Sequence, residues 1–204
     1  MSIELYLAYV AACFVITIIP GPTVTLIVAN SLTHGTRAGL LNVAGTQLGL
    51  GLMMLVVVVG LSSVIAIMGV WFDWLRLIGA AYLIWLGIQL WRSSGDFGKP
   101  GATPRPRGGF FLQGFLVLLG NPKALLWFGA FIPQFVDPKG VYVWQVVLLG
   151  VTAMATAAIS DGAYAVLAGG AGRLLSRQRV RLVSRVSGLC LIGGGAWLAL
   201  TRAR

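Results

Sequence analysis

Six apolar stretches, each long enough to cross a bilayer, follow one another along this chain of 204 residues. A membrane-spanning helix needs about 20 residues at a rise of 1.5 Å per residue. Charged residues make up only 10% of the chain, far below what a soluble domain carries. The pattern predicts an all-α integral membrane protein with six transmembrane helices in a single domain, residues 1–204. The stretches cover about Leu5–Val28, Ala38–Met68, Trp71–Trp91, Phe110–Phe135, Val143–Leu167 and Val183–Leu200.

The net charge of +10 lies between the apolar stretches, where it predicts orientation in a bacterial inner membrane. Loops that stay in the cytoplasm carry an excess of Lys and Arg. The opposite side holds four basic residues, so both termini are expected in the periplasm. No basic stripe of the kind that binds nucleic acid is present. The ten residues that mark the cytoplasmic loops are Arg37, Arg92, Lys99, Arg105, Arg107, Arg173, Arg177, Arg179, Arg181 and Arg185.

The two halves of the chain look related. A Gly-, Pro- and Ser-rich segment, residues 92–109, reads as a cytoplasmic linker between repeat one (1–91) and repeat two (110–204). The first span of each half is interrupted, by Pro20-Gly21-Pro22 and by Asn121-Pro122-Lys123. Three spans per half is an odd number, so the second half enters the membrane from the other side. This predicts an inverted repeat with a broken first helix in each half, as in many secondary transporters.

The breaks carry specific chemistry. Proline has no N–H group, so the carbonyls of Ile16, Ile18 and Leu118 lose their helical donors. Free N–H groups at the start of a half-helix suit a carboxylate, and freed carbonyls with the Asn121 amide suit an ammonium group. The alternative is a plain kink, with Thr17 or a neighbouring helix supplying the missing hydrogen bonds. The residues predicted to bind an amino-acid substrate are Pro20, Gly21, Pro22, Asn121, Pro122, Lys123 and Gln47, the last of which could equally serve helix packing.

Two charged residues lie inside spans. Lys123 falls midway along the fourth span, where a cation needs a partner, and Asp161 is the acid well inside a span that could supply it. Asp161 could also carry a coupling proton. A purely structural ion pair is the other interpretation.

Sequence motifs that are typical of ATP-driven pumps and of many enzymes are absent. The chain has no phosphate-binding loop, no HExxH sequence and no nucleophile elbow, which argues against ATP-driven pumping and catalysis. No metal or other cofactor is expected. Cys13 and Cys190 lack metal-ligand spacing. Two alternatives to a transporter stay open: a membrane thiol-redox carrier and a membrane assembly protein that moves no cargo.

With these residues in view, the chain resembles the lysine exporter / homoserine–threonine exporter (LysE/RhtB) family. The resemblance implies efflux of amino acids or their derivatives, in exchange for protons, through a six-helix inverted repeat. The direction of transport comes from the resemblance alone. Cargo, coupling ion and stoichiometry stay open, and so does a homodimer. The segments that carry it are Pro20–Pro22, Gly35–Gly39, Gly114 through Asn121–Lys123 to Ile132–Phe135, and Ser184–Gly188.

Overall fold

The computed structural model describes residues 1–18, 20–92, 106–171 and 177–200, and over these ranges the chain is helical with no β-strand. The helices are α1 (Ile3–Ile18), α2 (Pro22–His34), α3 (Thr36–Arg92), α4 (Gly109–Leu119), α5 (Pro122–Leu126), a π-helical turn (Trp127–Phe131), a 3-10 turn (Ile132–Phe135), α6 (Tyr142–Ala171) and α7 (Arg177–Leu200).

The helices confirm that this is an all-helical protein with apolar spans. Thr36–Val59 and Tyr142–Ala171 are each long and apolar enough to cross a membrane, and α1 with α2, inclined at 49°, forms a third candidate. Gly109–Leu119 and Ala80–Gln89 are shorter apolar helices. The count of six crossings remains a prediction. Of the predicted linker, residues 93–105 lie outside the described residues, as does Arg173 among the predicted loop arginines.

Helix α3 differs from the sequence prediction, because its 57 residues take in both the second and the third predicted span. Gly49 lies against Leu118, and Leu83 shares a buried cluster with Val117, the neighbour of Leu118. Gly49 and Leu83 would be about 50 Å apart in a straight helix. Helix α3 therefore bends back between these residues.

Helix α1 is tied to α6 by side-chain hydrogen bonds. The hydroxyls of Tyr6 and Thr152 lie 2.9 Å apart, and the Tyr9 hydroxyl donates to the Leu149 carbonyl at 3.0 Å. Tyr9 is fully buried. In an apolar surrounding, a buried hydroxyl without a partner is costly, so these bonds hold the two helices in one register.

A network of buried carboxamides joins α2, α3 and α4. The Asn30 amide donates to Asn42 Oδ1 at 2.7 Å and to Gln113 Oε1 at 2.8 Å, and the Asn42 amide donates to the Phe110 carbonyl at 2.6 Å. Gly114 allows this approach, because a Cβ there would overlap the backbone of Asn42.

The end of α3 runs antiparallel to α7. Gly87 lies against Gly188, and Gly195 lies against the carbonyl of Ala80. Small residues at these positions let the two backbones approach closely, as is common between transmembrane helices.

Candidate functional site

The two interrupted segments lie side by side in the centre of the helical bundle. The Asn121 amide donates to the Thr23 hydroxyl at 3.2 Å, and the Lys123 side chain passes Gly21, with Cδ 3.6 Å from the position of a Cβ on that glycine. The structure thus brings the two sequence-predicted breaks into contact, although they are separated by about half the chain.

The carbonyls at the first break are occupied by α6. The Tyr164 hydroxyl donates to the Ile18 carbonyl at 2.9 Å, and the Ser160 hydroxyl donates to the Thr17 carbonyl at 3.2 Å. The expectation that the Ile18 carbonyl stays open for an ammonium group is therefore wrong. The alternative, in which a neighbouring helix supplies the missing donor, is correct at this position.

Asn121 organises the second break. It is 2% exposed and caps α5, with its side-chain oxygen accepting from the Lys123 N–H at 3.0 Å. Its own N–H donates to the Leu118 carbonyl at 2.9 Å. The expectation of a free Leu118 carbonyl is thus wrong as well, because the chain tightens after Leu118 and Asn121 takes the place of the lost donor.

Asn121→Ala is expected to lower the free energy of unfolding by about 1–2 kcal/mol, the usual cost of losing an N-cap. The variant also loses the bond to Thr23, so the two breaks separate and transport falls with stability. Thermal unfolding in detergent measures the first effect. Asn121→Ser, which keeps a capping oxygen, is the matched control and should lose less than half as much stability. Equal stability of Asn121→Ala and the wild type would contradict the capping role.

A cavity opens where the two breaks meet. The centre of a water molecule can reach about 70 Å³ of it, which is room for several waters or a small solute. Among the described lining residues, the charged ones are Lys123 and Asp161. Asp161 is 7% exposed, and its carboxylate and the Lys123 ammonium interact electrostatically. A cation and an anion therefore face one small space.

The predicted site residues divide into three groups. Asn121, Lys123 and Asp161 line the cavity. Gln47 does not line it, and its buried amide nitrogen has no hydrogen-bond partner among the described residues. Pro20, Gly21 and Pro22 stand at the first break without lining the cavity, and Pro122 is the first residue of α5 at the second break.

The start of α2 lies beside the cavity. Gly21 is the N-cap, with extended backbone and no side-chain cap, and Pro22 is the first helical residue. The first N–H that bonds back to Gly21 is that of Thr25, at 2.9 Å. Thr23 and Val24, whose N–H groups have no acceptor within the helix, both line the cavity. This arrangement favours an anion.

Two aromatic residues, Trp127 and Phe128, form an aromatic wall of the cavity that the sequence analysis did not identify. Trp127 lines the cavity and donates from its indole nitrogen to the Tyr9 hydroxyl at 3.2 Å. Its ring stacks on Phe131 at 4.1 Å between centroids, within the π-helical turn. Irregular turns of this kind occur often at functional sites. Pro133 was the sequence signal for an irregular helix here.

The two cysteines differ in their surroundings. Cys13 is buried, Cys190 is exposed, and both are free thiols. Within the described ranges, no group of three or more His, Cys, Asp or Glu side chains is arranged to hold a metal ion.

Residues 14–202 match the family described as LysE type translocator. A homoserine/homoserine lactone efflux protein of Salmonella typhi is 33% identical over 204 residues, 99% of each chain. An uncharacterized membrane protein of Vibrio cholerae is 31% identical over 205 residues, the full length of both. A leucine efflux protein of Klebsiella pneumoniae is 30% identical over 134 residues, 65% of this chain and 63% of the relative. No solved structure matches the chain.

Proposed function

Because this chain belongs to the LysE type translocator family, we propose that it is a secondary active exporter of amino acids or amino-acid derivatives, working by exchange with protons. The efflux relatives support the direction and the class of cargo. A transporter family also argues against an enzyme. The thiol-redox carrier is disfavoured because Cys13 and Cys190 lie on different helices, one buried and one exposed.

The observation that carries the proposal is the cavity between the two breaks. An amino acid presents a carboxylate and an ammonium group on one carbon. The carboxylate is to be bound by Lys123 and the N–H groups at the start of α2, and the ammonium group by Asp161, all of which border this cavity. Pro20, Pro22 and Pro122 contribute by ending the helices there, and Gln47 is left without a role in cargo binding.

The presence of one carboxylate among the described lining residues, that of Asp161, supports exchange with protons. The Asp161 carboxylate neutralises either the cargo ammonium group or a proton, and the two compete for the same oxygens. If the protein changes between its inward-open and outward-open forms only with an ammonium group or a proton bound to Asp161, it moves cargo one way and a proton the other. Lys123 supplies the counter-charge when neither is bound.

We propose six crossings in two inverted repeats, residues 1–91 and 110–204. The bend in α3 provides the second and third crossings. The Tyr9–Phe135 ring contact, 5.1 Å between centroids, has a counterpart in the His34–Phe110 contact at 4.9 Å. Tyr9 and Phe110 are 101 positions apart in the sequence, and so are His34 and Phe135. Pro20 and Asn121 are separated by the same number of positions. A two-fold axis through the breaks explains both contacts.

The orientation that goes with this arrangement places both termini in the periplasm of a bacterial inner membrane. The excess of basic residues between crossings one and two, three and four, and five and six supports it. A homodimer is compatible with this arrangement but is not required, since the cavity is formed within one chain.

Proteoliposomes test the function directly. Vesicles loaded with a mixture of radiolabelled amino acids should release at least one of them faster when a proton gradient is imposed, and protein-free vesicles should not. Release without a response to the gradient would remove the proton exchange. No release of any amino acid would overturn the exporter. The double variant Cys13→Ala, Cys190→Ala should keep its flux, whereas a redox carrier would lose all activity.

A further inference from the structure

The lining of the cavity has two chemically different parts. Lys123, Asp161 and Asn121 form the polar part, together with the start of α2. Other lining side chains belong to a large buried apolar cluster, and they include Leu50, Leu118, Trp127, Phe128 and Ala153. A solute that contacts both parts favourably must itself carry charged and apolar groups.

Building on the proposed function, we infer that the cargo is a zwitterionic amino acid with an apolar side chain, and that the apolar lining beside Thr156 excludes cationic side chains. Among the described residues that line the cavity, the charges are one cation and one anion, which match the two charges of the amino-acid backbone. A third charge on the side chain of the cargo would lie among apolar groups with no counter-ion, which strongly disfavours its entry.

The aromatic wall limits the length of that side chain. Trp127 is held in place by its bond to the Tyr9 hydroxyl, which in turn donates to the Leu149 carbonyl at 3.0 Å. Phe131 stacks on the other part of the indole ring. A wall fixed by hydrogen bonds and stacking does not yield easily to a longer cargo, and the small volume of the cavity agrees with this limit.

Thr156 is the position at which a single substitution can test the exclusion. It is 7% exposed, lines the cavity, and lies one turn of α6 after Ala153. Its hydroxyl donates to two carbonyls of its own helix, those of Thr152 and Ala153 at 3.0 Å, and its side chain also hydrogen-bonds the Cys13 thiol of α1. Asp and Asn have the same shape, so a comparison of these two substitutions removes the effect of losing the contact with Cys13.

The experiment compares norleucine with lysine, which share a four-carbon side chain and differ by one ammonium group. In proteoliposomes the wild type should exchange labelled norleucine at least about tenfold faster than lysine, the ratio that one poorly matched charge produces. Thr156→Asp should raise the lysine-to-norleucine ratio at least about tenfold by supplying the missing anion. Thr156→Asn, of the same shape without the charge, gives the baseline for that ratio.

The outcomes separate the two levels of the proposal. Two results would overturn this inference and leave the exporter unaffected. In the first, the wild type exchanges lysine and norleucine equally fast. In the second, Thr156→Asp and Thr156→Asn show the same lysine-to-norleucine ratio. Failure to exchange any amino acid would overturn the exporter itself. If Thr156→Asp does not reach the membrane, competition decides: lysine should inhibit norleucine exchange by the wild type much less than the same concentration of unlabelled leucine does, and equal inhibition would refute the inference.

Discussion

Asp161→Asn is expected to abolish proton-driven exchange, with a loss of at least about a hundredfold, while the protein still inserts. Asp161 is 7% exposed and faces the Lys123 ammonium across the cavity. The amide can accept a hydrogen bond from a cargo ammonium group but cannot neutralise it or take up a proton. Losing one charge-assisted hydrogen bond costs about 1.5–3 kcal/mol, and the upper value corresponds to a hundredfold. Flux under an imposed proton gradient is the measurement.

Glu4→Gln is the matched control, since it makes the same change at an exposed acid in the first turn of α1. It should keep its flux. Lys123→Gln should also stop exchange and should lower the yield of folded protein, because it leaves Asp161 without its counter-charge. The double variant Lys123→Gln, Asp161→Asn should recover the yield but not the flux. Full flux in Asp161→Asn would refute the proposed coupling.

Gly114→Ala is expected to destabilise the fold, although it adds a single methyl group. A Cβ on Gly114 would lie 2.8 Å from the Asn42 Cα and closer still to its carbonyl oxygen, so α3 and α4 must move apart. Overpacking of this kind costs about 1–3 kcal/mol. The separation also stretches the bonds that join Asn30 to Asn42 and Gln113. The midpoint of thermal unfolding in detergent should fall by several degrees, and the yield of folded protein should fall with it.

Gly162→Ala provides the comparison for Gly114→Ala. A Cβ on Gly162 has nothing within 4 Å, so the same methyl group fits, and the better helix propensity of Ala stabilises by up to about 1 kcal/mol. If both variants unfold at the same temperature, close approach of α3 and α4 at Gly114 does not limit stability.

Local features of the sequence predicted the helices and the breaks well. Apolar length predicts where a helix can cross a bilayer, and a proline in the middle of such a stretch must end or kink it. Pro22 and Pro122 accordingly stand at the first position of α2 and α5. The meeting of Lys123 and Asp161 at one cavity also followed from a local argument, because a charge in an apolar span needs a partner.

The sequence could not predict contacts that depend on how distant helices meet. A hydroxyl such as that of Tyr164 bonds to whatever carbonyl its neighbour presents, and only the packed bundle reveals that this is Ile18. The pairing of Asn30 with Gln113 has the same origin. The sequence analysis also predicted two separate spans where α3 forms one continuous helix. Helix propensity does not determine whether the helix breaks between two spans or bends with its backbone hydrogen bonds intact.

The hydrogen bonds that join α1 to α6 have a consequence for movement. They occur at both ends of α1, at Tyr6 and Tyr9 and again at Thr17 and Ile18. Rotation about the turn at residues 20–21 would therefore move α1 and α6 together as one rigid body. Helix α6 carries Asp161, and the other broken segment carries Lys123. This rotation would therefore increase the distance between the Asp161 carboxylate and the Lys123 ammonium group. The conformation of the protein would then depend on whether these two groups are charged.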